Sequence, residues 1–299
     1  MRRQIVTAVL CCIFFLTPHG HMGQSAQQAL RELIVCGWDE VFILDASDAT
    51  RPVKTWRWKA KSRSDLPQRM RTRFNMTSEC KPVDDGRRIL ITSSSGGGVA
   101  LVERKTGRAL FYGVAPNAHS ADILPGNRIV VSCAIRANRL VVFDLAKTER
   151  PVCSSVLPDG HGVVWDGKRQ LLWALSGADL RAYRLENWDS AKPSLVLADV
   201  YKLPSGGGHD LYPIPGKSDL TVSAARNCWY FDRDKRTFRP ITEIPKPWSI
   251  KSICIGDTGE TAYVQAEGRN WWAENIHILP DRTINLPGER IYKARWNGH

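Results

Sequence analysis

Three histidines each open a segment of similar shape: His119-Ser-Ala-Asp-Ile-Leu-Pro, His161-Gly-Val-Val-Trp-Asp and His209-Asp-Leu-Tyr-Pro-Ile-Pro. Lysines open three more, at Lys81-Pro-Val-Asp, Lys251-Ser-Ile-Cys-Ile-Gly and Lys293, and successive openers lie 38, 42, 48, 42 and 42 residues apart. An imidazole can move a proton or hold a divalent metal through a neutral nitrogen, and an ammonium can neutralise an anion. Such groups, recurring at a near-constant interval, form one site if the fold arranges equal positions of a repeat around a common axis.

The elements between them predict that axis. Beyond about residue 33 the chain consists of short β-branched and aromatic runs, such as Arg88 to Thr92, Val99 to Glu103, Arg128 to Ser132 and Arg139 to Asp144. Turn residues separate them and no helical period is sustained, so the chain is all-β. Three to four strands per unit of roughly 40 residues is the pattern of a β-propeller blade. The unit near Leu33 lacks an opening strand, whereas Arg290 to Trp296 is a strand without partners. Pairing the two closes a six-bladed β-propeller by joining the C-terminal strand to the first blade, which removes the exposed sheet edges. A seventh blade would need a repeat within residues 59 to 78, a segment rich in Arg and Lys and poor in strand formers. Residues 33–299 therefore form a single propeller domain.

In such a ring the first strand of each blade lines the central channel, and the connections entering it share a face with the loops between second and third strands. Lys81, His119, His161, His209, Lys251 and Lys293 are thus expected as a basic ring at one channel mouth, its mutual repulsion relieved by an anion. Loops on that face carry Arg136, Arg226, Arg269, Trp38, Trp271 and Trp272, and the basic connection from Lys59 to Arg73 enters there too. Indole faces cover the apolar side of a sugar ring and guanidinium groups grip carboxylates, so an acidic oligo- or polysaccharide is the expected partner. Tyr212 and Tyr292 adjoin the ring in sequence but are weaker candidates, because strand alternation can turn them into the sheet.

Composition sets the outer limits. The chain has 299 residues, 43% of them hydrophobic, which is enough for a full-sized core and excludes a disordered or collagen-like chain. A formal net charge of +12 favours anionic partners, but no recognised nucleic-acid fold is visible. Met1, Arg2 and Arg3 followed by the apolar run Ile5 to Leu16, with Gly23-Gln24-Ser25 behind it, read as a signal peptide over residues 1–25. The mature protein is then secreted or periplasmic, with no membrane anchor. Cys36, Cys80, Cys133, Cys153, Cys228 and Cys254 show no metal-ligand spacing and are expected as buried thiols, Cys133 with Cys153 being the local pair to test for a disulfide.

No nucleophile elbow, phosphate loop or HExxH motif occurs. Two catalytic versions follow from the histidines. In one, His119, His161 and His209 hold a divalent metal ion; in the other, one of them is a general base while Lys and Arg neutralise the substrate. Both suit β-elimination on a uronic acid, where cations aimed at the carboxylate stabilise the charge that develops when the adjacent carbon loses its proton. The competing reading is a non-catalytic propeller that binds an acidic glycan or a protein through the same mouth.

The motifs Asn117-Ala-His-Ser-Ala-Asp-Ile-Leu-Pro, Gly160-His-Gly-Val-Val-Trp-Asp, Gly208-His-Asp-Leu-Tyr-Pro and Tyr292-Lys-Ala-Arg-Trp resemble a family of exported bacterial propeller proteins of unassigned function. More distantly, the histidine-lined channel resembles propeller-fold polysaccharide lyases, including oligogalacturonate lyase and rhamnose-glucuronate lyase. The resemblance implies uronate cleavage and, for the first of these, a metal held by histidines, here His119, His161 and His209.

Overall fold

The computed structural model describes residues 31–147 and 149–297; the expected signal peptide lies outside the described residues. Six four-stranded antiparallel sheets form the six blades of a β-propeller. From the axis outward, blade 2 runs Thr77–Val83, Arg88–Ser93, Gly98–Glu103 and Ala109–Val114. The innermost strands of blades 3 to 6 are Ala118–Leu124, Gly162–Asp166, Asp210–Pro213 and Ile250–Ile255.

Blade 1 is built from both ends of the chain. Lys293–Trp296 is its innermost strand, followed by Glu32–Gly37, Glu40–Asp45 and Val53–Trp58. Cys36 pairs with Lys293 and Leu33 with Trp296, so the expected closure is present. Gly37 sits at this seam, where a Cβ would lie 1.8 Å from the carbonyl oxygen of Arg290, and the close approach of the two chain ends excludes a side chain there.

The second strand of each blade is largely apolar on both faces because each blade packs against two neighbours. In Glu32–Gly37, Leu33 and Val35 face blade 6 among Ala262, Ile276 and Trp296, while Ile34 and Cys36 face blade 2 among Ile89 and Ile91. The connection where a seventh blade would have to lie holds instead a 3₁₀ turn, Ala60–Ser62, and one helical turn, Gln68–Arg71. Its Leu66, Met70 and Phe74 pack into the core between blades 1 and 2. The six cysteines named above are free, all buried but the half-buried Cys153; Cys133 and Cys153 form no disulfide.

Candidate functional site

One residue from each blade reaches the channel mouth: Ser78, His119, His161, His209, Lys251 and Tyr292 line a cavity of about 230 Å³. Their placement comes from an irregularity repeated around the ring. In blades 2, 3 and 6 the pairing between first and second strands skips one residue, and the skipped residues are Ser78, His119 and Lys251. His161, His209 and Tyr292 stand just before their strands. Each donates its backbone N–H to the residue opposite the following position, the carbonyls being those of Leu175, Ser223 and Cys36. A β-bulge places an extra side chain beside the regular one and re-aims it. Here it turns the extra side chain toward the axis without disturbing the apolar alternation of the strand.

The bulge corrects the expected ring. Tyr292, one residue before Lys293, holds the mouth position of blade 1, and Ser78, three before Lys81, holds that of blade 2. Lys293 is fully buried below the mouth, 3.2 Å from Glu79 and 2.9 Å from Asp210. Arg295 joins the same two carboxylates at 3.0 and 2.6 Å, and Ser120 donates to Glu79 at 2.9 Å. Lys81 pairs with Asp122 at 3.2 Å and donates to the Val163 carbonyl at 2.8 Å. Two cations against two carboxylates make a neutral plug, so the repulsion expected of six cationic groups does not arise. Lys293 and Arg295 hold Glu79 well below the usual carboxylate range despite its burial, and Glu79 and Asp210 raise Lys293 above the usual amine range.

Above the plug the three imidazoles stand in a row. His161 is central, with ring centroids 4.5 Å from His119 and 5.3 Å from His209. His119 Nδ1 lies 3.1 Å from the Asn117 carbonyl and His161 Nδ1 lies 2.9 Å from that of Asp159. A carbonyl only accepts, so Nδ1 carries the proton in both rings and Nε2 keeps its lone pair. Burial, reinforced by neighbouring imidazoles and lysines, lowers His119 and His209 to about 3 and also lowers His161. The three rings are therefore neutral at physiological pH.

Lys251 Nζ lies 3.5 Å from His209 Nε2. Burial lowers its pKa, and no carboxylate within ion-pair reach of it is found among the described residues. The Tyr292 hydroxyl, raised to about 12 by burial, stays protonated, and Trp271 meets its ring at 5.7 Å. The neutral histidines make a stability prediction. Their folded pKa values are depressed, so the unfolded chain binds protons the folded one refuses as pH falls from about 6.5 towards 3. The melting temperature is expected to fall across that window and to fall less steeply in His119→Gln/His209→Gln; equal slopes in thermal melts at several pH values would refute this.

The metal expectation is not met by the geometry. Among the described residues no group of three or more His, Cys, Asp or Glu could hold a metal ion, and the ammonium of Lys251 stands 3.5 Å from one would-be ligand nitrogen. The histidines thus do not fit a divalent ion, and no step is drawn through one.

The remaining expected residues divide. Trp271 lines the mouth cavity, and Arg136 lines an adjoining one. Arg226 and Arg269 are exposed on their loops and line neither. Trp38 is exposed and Trp272 half-buried; neither lines either cavity, and the Arg290 guanidinium lies 4.1 Å from the Trp38 ring and 5.3 Å from that of Trp272. The basic connection is largely neutralised: Lys59 and Lys61 meet Asp39, Arg63 meets Asp65 and Arg69 meets Glu149. Sequence reasoning missed Ser78 and Met76 at the mouth and Arg290 beside it, whereas Ser94 belongs to a loop, Ser93 to Gly98, that the repeat pattern places on this face. Tyr292 needed only a one-residue shift of the aligned register. A larger cavity of about 850 Å³ opens elsewhere, between the turns at Asp84 and Lys105, and in its lining Arg88 pairs with Asp84 and Arg104 with Glu32.

Among solved structures, the chain is similar to a protein of unknown function from Bacteroides caccae, at 13% identity with a TM-score of 0.63, over 90% of this chain and 99% of that one. It is similar at 11% identity and a TM-score of 0.63 to a chain of a nidogen/laminin complex, over 89% and 98% of the two chains. Kuenenia stuttgartiensis hydrazine synthase matches at 13% identity and a TM-score of 0.51, over 68% of this chain and 62% of that one. At such identities the likeness is one of fold. No curated protein matches. Residues 38–298 match the Family of unknown function (DUF6528), and this propeller with its histidine-lined mouth belongs to that family.

Proposed function

We propose that the channel mouth binds the carboxylate-bearing end unit of an acidic glycan, a uronate. The observation that carries this reading is Lys251: a buried ammonium without a carboxylate partner among the described residues, facing a cavity whose other polar groups are neutral imidazoles and hydroxyls. A buried charge left unpaired is costly, and an incoming carboxylate removes that cost. The volume of about 230 Å³ is below the ~300–1,000 Å³ of drug-sized sites and suits a single sugar ring, with Trp271 as its apolar wall.

The same groups suit β-elimination. Nε2 of His119 or His161 takes the proton from the carbon beside the carboxylate, and that C–H pair becomes the new C=C bond. The bond to the leaving glycosyl oxygen breaks, and the protonated Tyr292 hydroxyl supplies the proton that oxygen takes up. Lys251 stabilises the charge that develops on the carboxylate. A base near pKa 3 is weak, and this favours the second reading, a binding site without turnover. A bound carboxylate acts against that weakness, since a nearby negative charge raises an imidazole pKa.

Incubation with a panel of uronic-acid glycans, followed at the absorbance of the unsaturated product and by calorimetry, separates the two. Lys251→Met is expected to weaken binding about tenfold or more, the worth of a charge-assisted contact. Where turnover is seen, His119→Ala or His161→Ala is expected to abolish it with affinity nearly intact. Binding without product leaves the non-catalytic reading; no binding by any uronate refutes the assignment.

A further inference from the structure

The mouth cavity does not end at the histidines. A second cavity, of about 570 Å³, shares Met76 and Ser94 with it and runs outward over Pro116, Asn117 and Ile135 to Arg136 and Arg139. Both arginines are exposed, and neither has an ion-pair partner among the described residues. Ile135 beside them is 63% exposed, an apolar surface continuous with Pro116 and Met76 in a groove of mixed character.

The loop that carries Arg136 is fastened to the histidines. The Asn117 side chain donates to the Ile135 carbonyl at 3.0 Å, while its own carbonyl accepts from His119 Nδ1. Asp159 Oδ1 accepts from the Ile135 N–H at 3.1 Å, while its own carbonyl accepts from His161 Nδ1. Two residues thus orient two imidazoles with their backbones and clamp Ile135 with their side chains. Asn117, Arg136 and Asp159 all have positive φ, 52°, 73° and 48°. Asn and Asp tolerate that region; an arginine held there carries strain that the surrounding contacts must support.

From this geometry we infer a second subsite: the outer groove takes the next uronate of the same acidic chain, with Arg136 and Arg139 on its carboxylate, so that the mouth holds the terminal unit and the chain leaves over blade 3. The inference rests on the uronate reading of the mouth and deepens it. Guanidinium forks match a carboxylate two-pronged, and the spread of two arginines at a cavity rim meets a charge that repeats along a polymer. The clamp ties the two subsites together, since the residues that hold the Ile135 backbone with their side chains also supply the carbonyls that accept from His119 and His161.

The test uses the full chain and calorimetry with mono-, di- and trimers of galacturonate and of glucuronate. The dimer is expected to bind about tenfold tighter than the monomer, and Arg136→Gln/Arg139→Gln to remove that gain while leaving monomer affinity unchanged. Both arginines are exposed, so the variant is expected to melt as the parent does. Equal affinity of monomer and dimer for the parent overturns the second subsite and leaves the mouth reading standing. Equal weakening of monomer and dimer in the variant also overturns it, because the arginines then act only through general charge. A monomer that fails to bind while dimers and trimers bind reverses the assignment of the terminal unit, and no binding of any length refutes the mouth reading itself.

Discussion

Replacing Glu79 by alanine is expected to destabilise the fold by about 3–5 kcal/mol, the usual cost of removing one partner from a buried ion pair. Glu79 is completely buried and answers both Lys293 and Arg295, so its removal leaves two buried cations on Asp210 alone. Ser120, which donates to Glu79, also loses its acceptor. Against a total stability of about 5–15 kcal/mol for a globular domain, such a loss decides whether the protein is recovered folded. Removing a positive charge at the same time should restore part of it: in Glu79→Gln/Lys293→Met the Arg295–Asp210 pair remains balanced. Urea unfolding of the three proteins checks this, and a cost below about 1 kcal/mol for Glu79→Ala would refute the plug as the structural centre of the ring.

The second large effect is expected from the far end of the chain. Deleting residues 293–299 removes the innermost strand of blade 1, together with both cations of the plug. Glu32–Gly37 would lose its axial partner and expose the edge of an apolar strand, a template for aggregation. The truncated chain is expected to show no cooperative thermal transition and to be recovered mainly as aggregate. A control truncated after Asn297, beyond the strand, should melt as the full chain does. Cooperative melting of the shorter form within a few degrees of the parent would mean that the seam contributes little.

Much of the ring was legible in the residues. Blade count followed from the recurring openers, and closure followed from a missing strand at one end and a surplus one at the other, as the pairing of Cys36 with Lys293 shows. His119, His161 and His209 were placed together by spacing alone, and they meet. Lys251 stands where its spacing put it, but Lys81 and Lys293 misled for a physical reason. A bulge adds one residue to a strand without changing its apolar alternation, so sequence pattern could not separate Tyr292 from Lys293. In blade 2 the mouth position holds a serine, Ser78, and Lys81 three residues on is the first basic residue after it, so a search for recurring cations settles on the wrong position. Counting cations without their carboxylates then suggested repulsion, because Glu79 and Lys293 are 214 residues apart and their pairing leaves no local trace. The contact of Arg290 with the Trp38 ring across the seam leaves no local trace for the same reason.

The seam sets an order of events for the chain as it is made. Blades 2 to 6 are each continuous in sequence and can pair strand to strand as they emerge, whereas blade 1 waits with its inner position vacant until Lys293–Trp296 is synthesised. Contacts of such long separation are slow to form, and the apolar edge at Leu33 to Cys36 stays open throughout that interval. Final locking, with Arg295 arriving between Glu79 and Asp210, is therefore a late step that couples ring closure to neutralisation of carboxylates already in place.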